Sequence, residues 1–250
     1  MLAAMPRTHP FRHGALVGSL ALAVLGCSGA APPSVVPTVP PTPTPVPSVD
    51  VGAQVTKLVC AAFASDPLVM HVDQTANLNV SDGKKSVKES VSMTLDLSDR
   101  DLSAEFMTKT AGKTTSDMGL VALGTTVYAR DGKGRWQSGP RANAEQNIAD
   151  VIRTLPTIRD PARLRYIGIE TIGTQRLHHL TVARPFTYVM NIGQTGTFDT
   201  FDIWVEDDGT PVLAKGNVSA IGPYGVEIKG TNELHFSKFG GPIEILAPKT

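Results

Sequence analysis

The residues best suited by type to chemistry are the neighbouring histidines His178 and His179. They sit in a run of strand-forming residues, where adjacent side chains point to opposite faces, so the two cannot readily share a metal ion. No cysteine or carboxylate cluster stands beside them in the sequence to complete a site. One exposed and one partly packed histidine is therefore expected. Asp207-Asp208 and Asp99 with Asp101 have the residue type of calcium ligands. Both groups lie where a turn needs Asp and Gly, and turn chemistry accounts for them. There is no serine in a nucleophile elbow, no phosphate loop and no HExxH. The expectation is a protein that is not an enzyme and that holds neither metal nor cofactor.

The other reactive side chains are two cysteines, Cys27 and Cys60, and their settings differ. Residues 1–14 carry Arg7, His9, Arg12 and His13 and no acid. Ala15 to Leu25 follow as 11 uncharged, mostly apolar residues. That length suits a signal-peptide core and falls short of the ~20 residues of a membrane-spanning helix. The run ends in Val24-Leu25-Gly26-Cys27, which resembles the lipobox of bacterial lipoproteins. Gly26 supplies the small residue needed before the cut, and Cys27 would receive acyl chains such as palmitate. With Cys27 lipidated, Cys60 has no intramolecular disulfide partner and reads most simply as a small buried apolar residue; a reactive thiol is the other reading.

Beyond the cysteine, residues 31–48 read APPSVVPTVPPTPTPVPS, with eight prolines and no charge. Such a segment cannot form a core and favours extended polyproline II, reaching roughly 50 Å at ~3.1 Å per residue. It is either a stalk or a plain linker. The expected organisation is a leader over 1–26, a lipidated cysteine and linker over 27–48, and one folded domain over 49–250. Lysines and arginines number 23, as do acids. This balance gives no electrostatic drive toward nucleic acid. The expected protein is a monomer held on the extracytoplasmic face of the cell membrane.

The elements of the domain follow from hydrophobic period. Ser48 or Asp50 can cap a helix carrying Val51, Val55, Leu58, Val59, Ala62 and Phe63, which ends by Asp66-Pro67. Strict alternation then takes over. Leu68, Met70, Val72, Ala76, Leu78 and Val80 share one face of a first strand. Val87, Val91, Met93, Leu95 and Leu97 share one face of a second, and Leu102, Ala104 and Phe106 one face of a third. Residues 117–130 form one or two more strands. A helical stripe returns with Ile148, Val151, Ile152 and Leu155, between Asn143 and Pro156, and a short helical turn opens at Asp160-Pro161. Strands resume at 166–172, 176–184, 198–206, 212–220 and 225–236.

This order predicts an α+β fold: one large twisted antiparallel sheet, curled into an open half-barrel, with helices over its concave face. Val72, Leu78, Val91, Met93, Leu95, Leu102, Ala104 and Phe106 from the strands, with Ile148, Val151, Ile152 and Leu155 from the helix, would line any apolar cavity between the layers. The same residues could equally fill a solid core.

Three passages carry a family resemblance: Gly168-Ile169-Glu170 through His178-His179-Leu180-Thr181-Val182, Phe201-Asp202-Ile203-Trp204-Val205-Glu206 through Val212, and Phe236-Ser237-Lys238-Phe239-Gly240-Gly241-Pro242 through Pro248. With Val127-Tyr128 and Trp136, and with the leader, they resemble the LppX/LprG group of lipoproteins and the wider LolA-like fold. The resemblance implies a carrier that holds lipid or glycolipid between sheet and helices. Because the fold also hosts regulatory proteins, an envelope sensor or structural adaptor working through protein contacts is the alternative. Replacing Cys27 by Ala is expected to abolish incorporation of labelled palmitate and to release the protein from the membrane pellet. Continued labelling of that variant would contradict the lipobox.

Overall fold

The computed structural model describes residues 50–141, 161–191, 194–222 and 225–249. Cys27, the proline-rich segment and the expected helix at 143–155 lie outside the described residues. Helix α1 spans Val51–Phe63, and the Asp50 carboxylate caps it by accepting from the Ala53 N–H at 3.1 Å. Its buried stripe is Val55, Thr56, Val59, Cys60 and Phe63. This corrects the expected phase: Val51 is 49% exposed, and Thr56 and Cys60 take inward positions. Thr56 is tolerated there because its hydroxyl donates to the Gly52 carbonyl at 2.8 Å. Cys60 is buried, as a small apolar residue would be.

Strands follow in hairpin order: β1 (Val69–Ser81), β2 (Ser86–Ser98), β3 (Asp101–Thr110), β4 (Lys113–Leu123), β5 (Thr126–Asp131) and β6 (Gln137–Pro140). A single 3-10 turn at Pro161–Arg163 leads into β7 (Leu164–Ile172), β8 (Gln175–Val182), β9 (Phe186–Asn191), β10 (Gln194–Val205), β11 (Pro211–Ile221) and β12 (Glu227–Ser237). The turns use the expected residues. Asp82 accepts from the Lys84 and Lys85 N–H groups, and these backbone bonds hold its carboxyl below the ordinary value. Asp208 accepts from the Thr210 N–H at 2.8 Å within its own turn, whereas Asp101 reaches across strands to accept from the Gly124 N–H at 2.8 Å in the β4–β5 turn.

All twelve strands belong to one antiparallel sheet, ordered β6-β5-β4-β3-β2-β1-β12-β11-β10-β8-β7, with β9 beside β10. β9 was not foreseen, because Phe186–Asn191 has no clear alternation. It pairs with the first half of β10, while β8 pairs with the second half, and a bulge between Phe198 and Thr200 separates the two. The sheet is open, with β6 and β7 at its edges. Its inner face and α1 share one apolar cluster running from Val55 and Phe63 through Val72, Leu95 and Leu102 to Phe198 and Leu234.

α1 crosses only one end of this face. Gly52 lies against Tyr166 of β7, and Phe63 meets Phe236 and Phe239 edge-on, at 6.0 and 5.5 Å between centroids. The β10–β11 turn closes onto the helix through Gly209, where an added Cβ would stand 2.6 Å from Leu58 and the backbone φ is +86°. Only glycine fits both constraints. The expectation of several helices over the concave face is met by α1 alone among the described residues. Leu95→Ala should cost about 2–5 kcal/mol in urea unfolding, whereas Ser92→Ala on the opposite face should change stability by less than about 0.5 kcal/mol. Equal effects would contradict the assignment of faces.

Candidate functional site

The inner face follows from strand register. Val72 pairs with Leu95, Leu95 with Ala104, Leu97 with Leu102 and Met93 with Phe106. Seven of the strand residues proposed from sequence, Val72, Leu78, Val91, Met93, Leu95, Leu102 and Ala104, are buried in the common cluster. Phe106 is only partly buried. Ile148, Val151, Ile152 and Leu155 lie outside the described residues.

The burial is graded across the sheet. It is complete near Leu95, Leu97 and Leu102. It falls away toward the β4–β5 end, where Phe106, Met118, Leu120 and Val127 are half-buried. These four stand on the inner face, since Met118 pairs with Phe106, Leu120 with Ala104, and Val127 with Ala122 beside Leu102. An α-helix of 13 residues is about 20 Å long, while strands ~4.8 Å apart spread this sheet over roughly 50 Å. α1 is therefore too small to cover the whole apolar surface.

One polar pair interrupts that surface. Gln74 on β1 and Asn232 on β12 are each 2% exposed, and Gln74 Nε2 donates to Asn232 Oδ1 at 3.0 Å. Gln74 stands between Val72 and Ala76 on the apolar face of β1. Its partner is 158 positions away, so only the β1–β12 pairing reveals why it is tolerated there.

The histidine pair straddles the sheet as alternation requires, but neither ring is the exposed one that was expected. On the inner side His178 is 7% exposed. Its Nε2 faces Asp207 Oδ1 at 3.1 Å and its Nδ1 faces the Tyr166 hydroxyl at 2.9 Å. On the outer side His179 stacks on Trp204 at 4.6 Å. Its Nδ1 faces Glu170 Oε1 at 2.9 Å and its Nε2 faces Asp202 Oδ1 at 3.0 Å. Both of these bonds form at once only when each ring nitrogen bears a proton. The second Glu170 oxygen accepts from the Trp204 indole N–H at 2.9 Å. The expectation failed because it searched for carboxylates along the chain, whereas Glu170, Asp202 and Asp207 arrive from β7, β10 and the β10–β11 turn.

The arrangement is a clamp. His179 ties edge strand β7 to β10 across β8, and His178 ties β7 to the β10–β11 turn from the other face. The Trp204 indole first, and His179 second, hold the Glu170 carboxyl below its ordinary value of 4.5. Among the described residues no cluster of His, Cys, Asp and Glu is placed to hold a metal ion. No helix among them is long and apolar enough to cross a membrane.

No protein-family model matches the chain, and no curated protein matches it in sequence. Solved structures do. The chain is similar to LprF from Mycobacterium bovis, at 15% identity and a TM-score of 0.44, over 79% of this chain and 98% of that one. The chain is also similar to a LolA superfamily protein from Nitrosomonas europaea, at 9% identity and a TM-score of 0.22, over 75% and 92% of the two chains. It is similar as well to the MucA/MucB complex structure from Pseudomonas aeruginosa, at 13% identity and a TM-score of 0.23, over 78% and 59%.

A carboxyl whose folded pKa is lowered stabilises the fold fully above its unfolded value and loses that contribution as pH falls through the folded one. Glu170 should therefore make stability fall on acidification below its ordinary 4.5. Trp204→Phe removes the first cause of the shift. Thermal melts from about pH 3 to about pH 7 should show a shallower acid loss in that variant than in the parent. Identical slopes would contradict the clamp.

Proposed function

We propose that this protein is a lipoprotein anchored through lipid on Cys27 to the extracytoplasmic face of the cell membrane, and that its domain binds or carries lipid or glycolipid on the apolar inner face. Residues 1–26 would be the leader, 27–48 the lipidated cysteine with its linker, and 49–250 the binding domain. The observation that carries the reading is the graded apolar face. It is continuous from α1 to β5, wider than α1, and half-open at Phe106, Met118, Leu120 and Val127.

The energetics favour an acyl chain over a compact polar ligand on this face. Each methylene removed from water gains about 0.8 kcal/mol, so a surface offering only dispersion and burial suits a long unbranched chain. Val72, Leu78, Val91, Met93, Leu95, Leu102 and Ala104 would form the floor, with Phe106 at the mouth. Met93 and Phe106 face each other across β2 and β3. A flexible thioether beside a ring is a lining that can adapt to chains of different length. The segment holding Ile148, Val151, Ile152 and Leu155 would supply further apolar contacts. A linker reaching roughly 50 Å in polyproline II form keeps such a face close to the bilayer.

The test is native mass spectrometry of the protein secreted with Cys27→Ala. Masses above that of the chain, released as lipid by organic extraction, are expected. Phe106→Asp should lower the lipid-loaded fraction severalfold while leaving the melting temperature near that of the parent. A bare chain mass together with a lipid-free extract would overturn the reading.

A further inference from the structure

The outer face of the sheet carries a second concavity, separate from the apolar face and meeting the histidine clamp only at Asp202. It is a groove of about 370 Å³ across the middle of β1, β12, β11 and β10. Two cross-strand rows line it. In the first, Asn77 pairs with Thr231, Thr231 with Asn217, and Asn217 with Thr200. In the second, Thr75 pairs with Glu233, Glu233 with Lys215, and Lys215 with Asp202. Gly216, between Lys215 and Asn217 in β11, faces the apolar side, where a Cβ would meet the Phe198 ring at 2.8 Å. A Cβ on Gly216 would also come within 2.6 Å of the Thr200 carbonyl, so only glycine fits at this step beside the β10 bulge.

We propose that this groove binds a neutral oligosaccharide. The chemistry of the lining excludes the other ligand classes in turn. The first row consists of exposed amides and hydroxyls, which both donate and accept and so match a polyhydroxylated ligand. The charges of the second row are already matched. Lys215 Nζ lies 3.0 Å from Glu233 Oε2, and Asp202 Oδ1 lies 3.0 Å from His179 Nε2. Burial raises the Glu233 carboxyl, but Lys215 and His235 outweigh it and keep the group below its ordinary value, and therefore ionised. No surplus cation remains to hold a phosphate or another anion. The lining has no apolar side chain to attract an acyl chain. An extended peptide would need an unpaired strand edge, and all four strands are paired on both sides. What is left is a neutral ligand recognised by hydrogen bonds, direct or through water. Four strands ~4.8 Å apart give a track of roughly 14 Å, enough for a short linear glycan lying across the strands.

The inference is independent of lipid binding, because it concerns the opposite face. Its test is isothermal titration of the full-length lipidated protein in nanodiscs with maltohexaose, cellohexaose, mannohexaose and chitohexaose. At least one should bind with millimolar or better affinity, and Asn77→Val combined with Thr231→Val should weaken it by about tenfold or more. The single change Asn217→Ala should weaken it severalfold and guards against misfolding of the double variant. Thr94→Val, on the outer face beyond the groove, should bind as the parent does. Absence of binding by all four sugars at about 10 mM, or binding that neither groove variant changes, would overturn the proposal.

Discussion

The structure depends on one constraint: the two-residue period of β1, β2, β11 and β12 has to stay in phase across the centre of the sheet. β1 pairs with β2 from Val69↔Ser98 to Ser81↔Ser86, and with β12 from His71↔Ser237 to Ser81↔Glu227, without a register shift. β11 and β12 continue the match from Leu213↔His235 to Ile221↔Glu227. A slip of one residue in β1 would send Val72, Ala76 and Leu78 to water and bring Asp73, Thr75 and Asn77 inward. Every feature of either face therefore rests on this registry: the apolar cluster, the Gln74–Asn232 bond and the two polar rows of the groove.

From that registry come two surfaces of opposite character on one sheet. The inner one is apolar and partly covered by α1; the outer one is polar and hydrogen-bonded across strands except for a small apolar cluster of Leu177, Trp204 and Leu213. His71 illustrates the outer pattern, with Asp96 at 2.7 Å on one ring nitrogen and Asp73 at 3.2 Å on the other. His179 repeats it between Glu170 and Asp202. Edge strand β7 gains most from these contacts. It pairs with a single neighbour, and the histidines of β8 reach past their own strand to bind it from both faces.

Much of this was legible in the sequence, for a physical reason. Alternation is a local signal, so the faces of β1, β2 and β3 could be read from Leu68–Val80, Val87–Leu97 and Leu102–Phe106. What was not legible arises from pairing between distant segments. Gln74, a polar residue within the apolar face of β1, is hydrogen-bonded by Asn232 from 158 positions away. His178 and His179 looked isolated until β7 and β10 brought carboxylates to them. Yet the passages that carried the family resemblance hold Glu170, His178, His179, Asp202, Trp204, Asp207 and Gly209, which converge at one end of the sheet. Those passages contain the clamp residues, but the clamp's geometry was invisible without strand order. The phase error in α1 has a similar origin: Thr56 is polar by type, and only its bond to the Gly52 carbonyl makes it a buried residue.

The central claim is that acyl chains occupy the inner face. The most direct measurement is photocrosslinking with a phospholipid carrying a diazirine in its acyl chain, followed by residue-level mapping of the adducts. The account predicts adducts on Phe106, Met118, Leu120 and Met93, with none on Ser92, Thr94 or the other outward residues of the same strands. Adducts spread equally over both faces, or confined to the outer one, would contradict it.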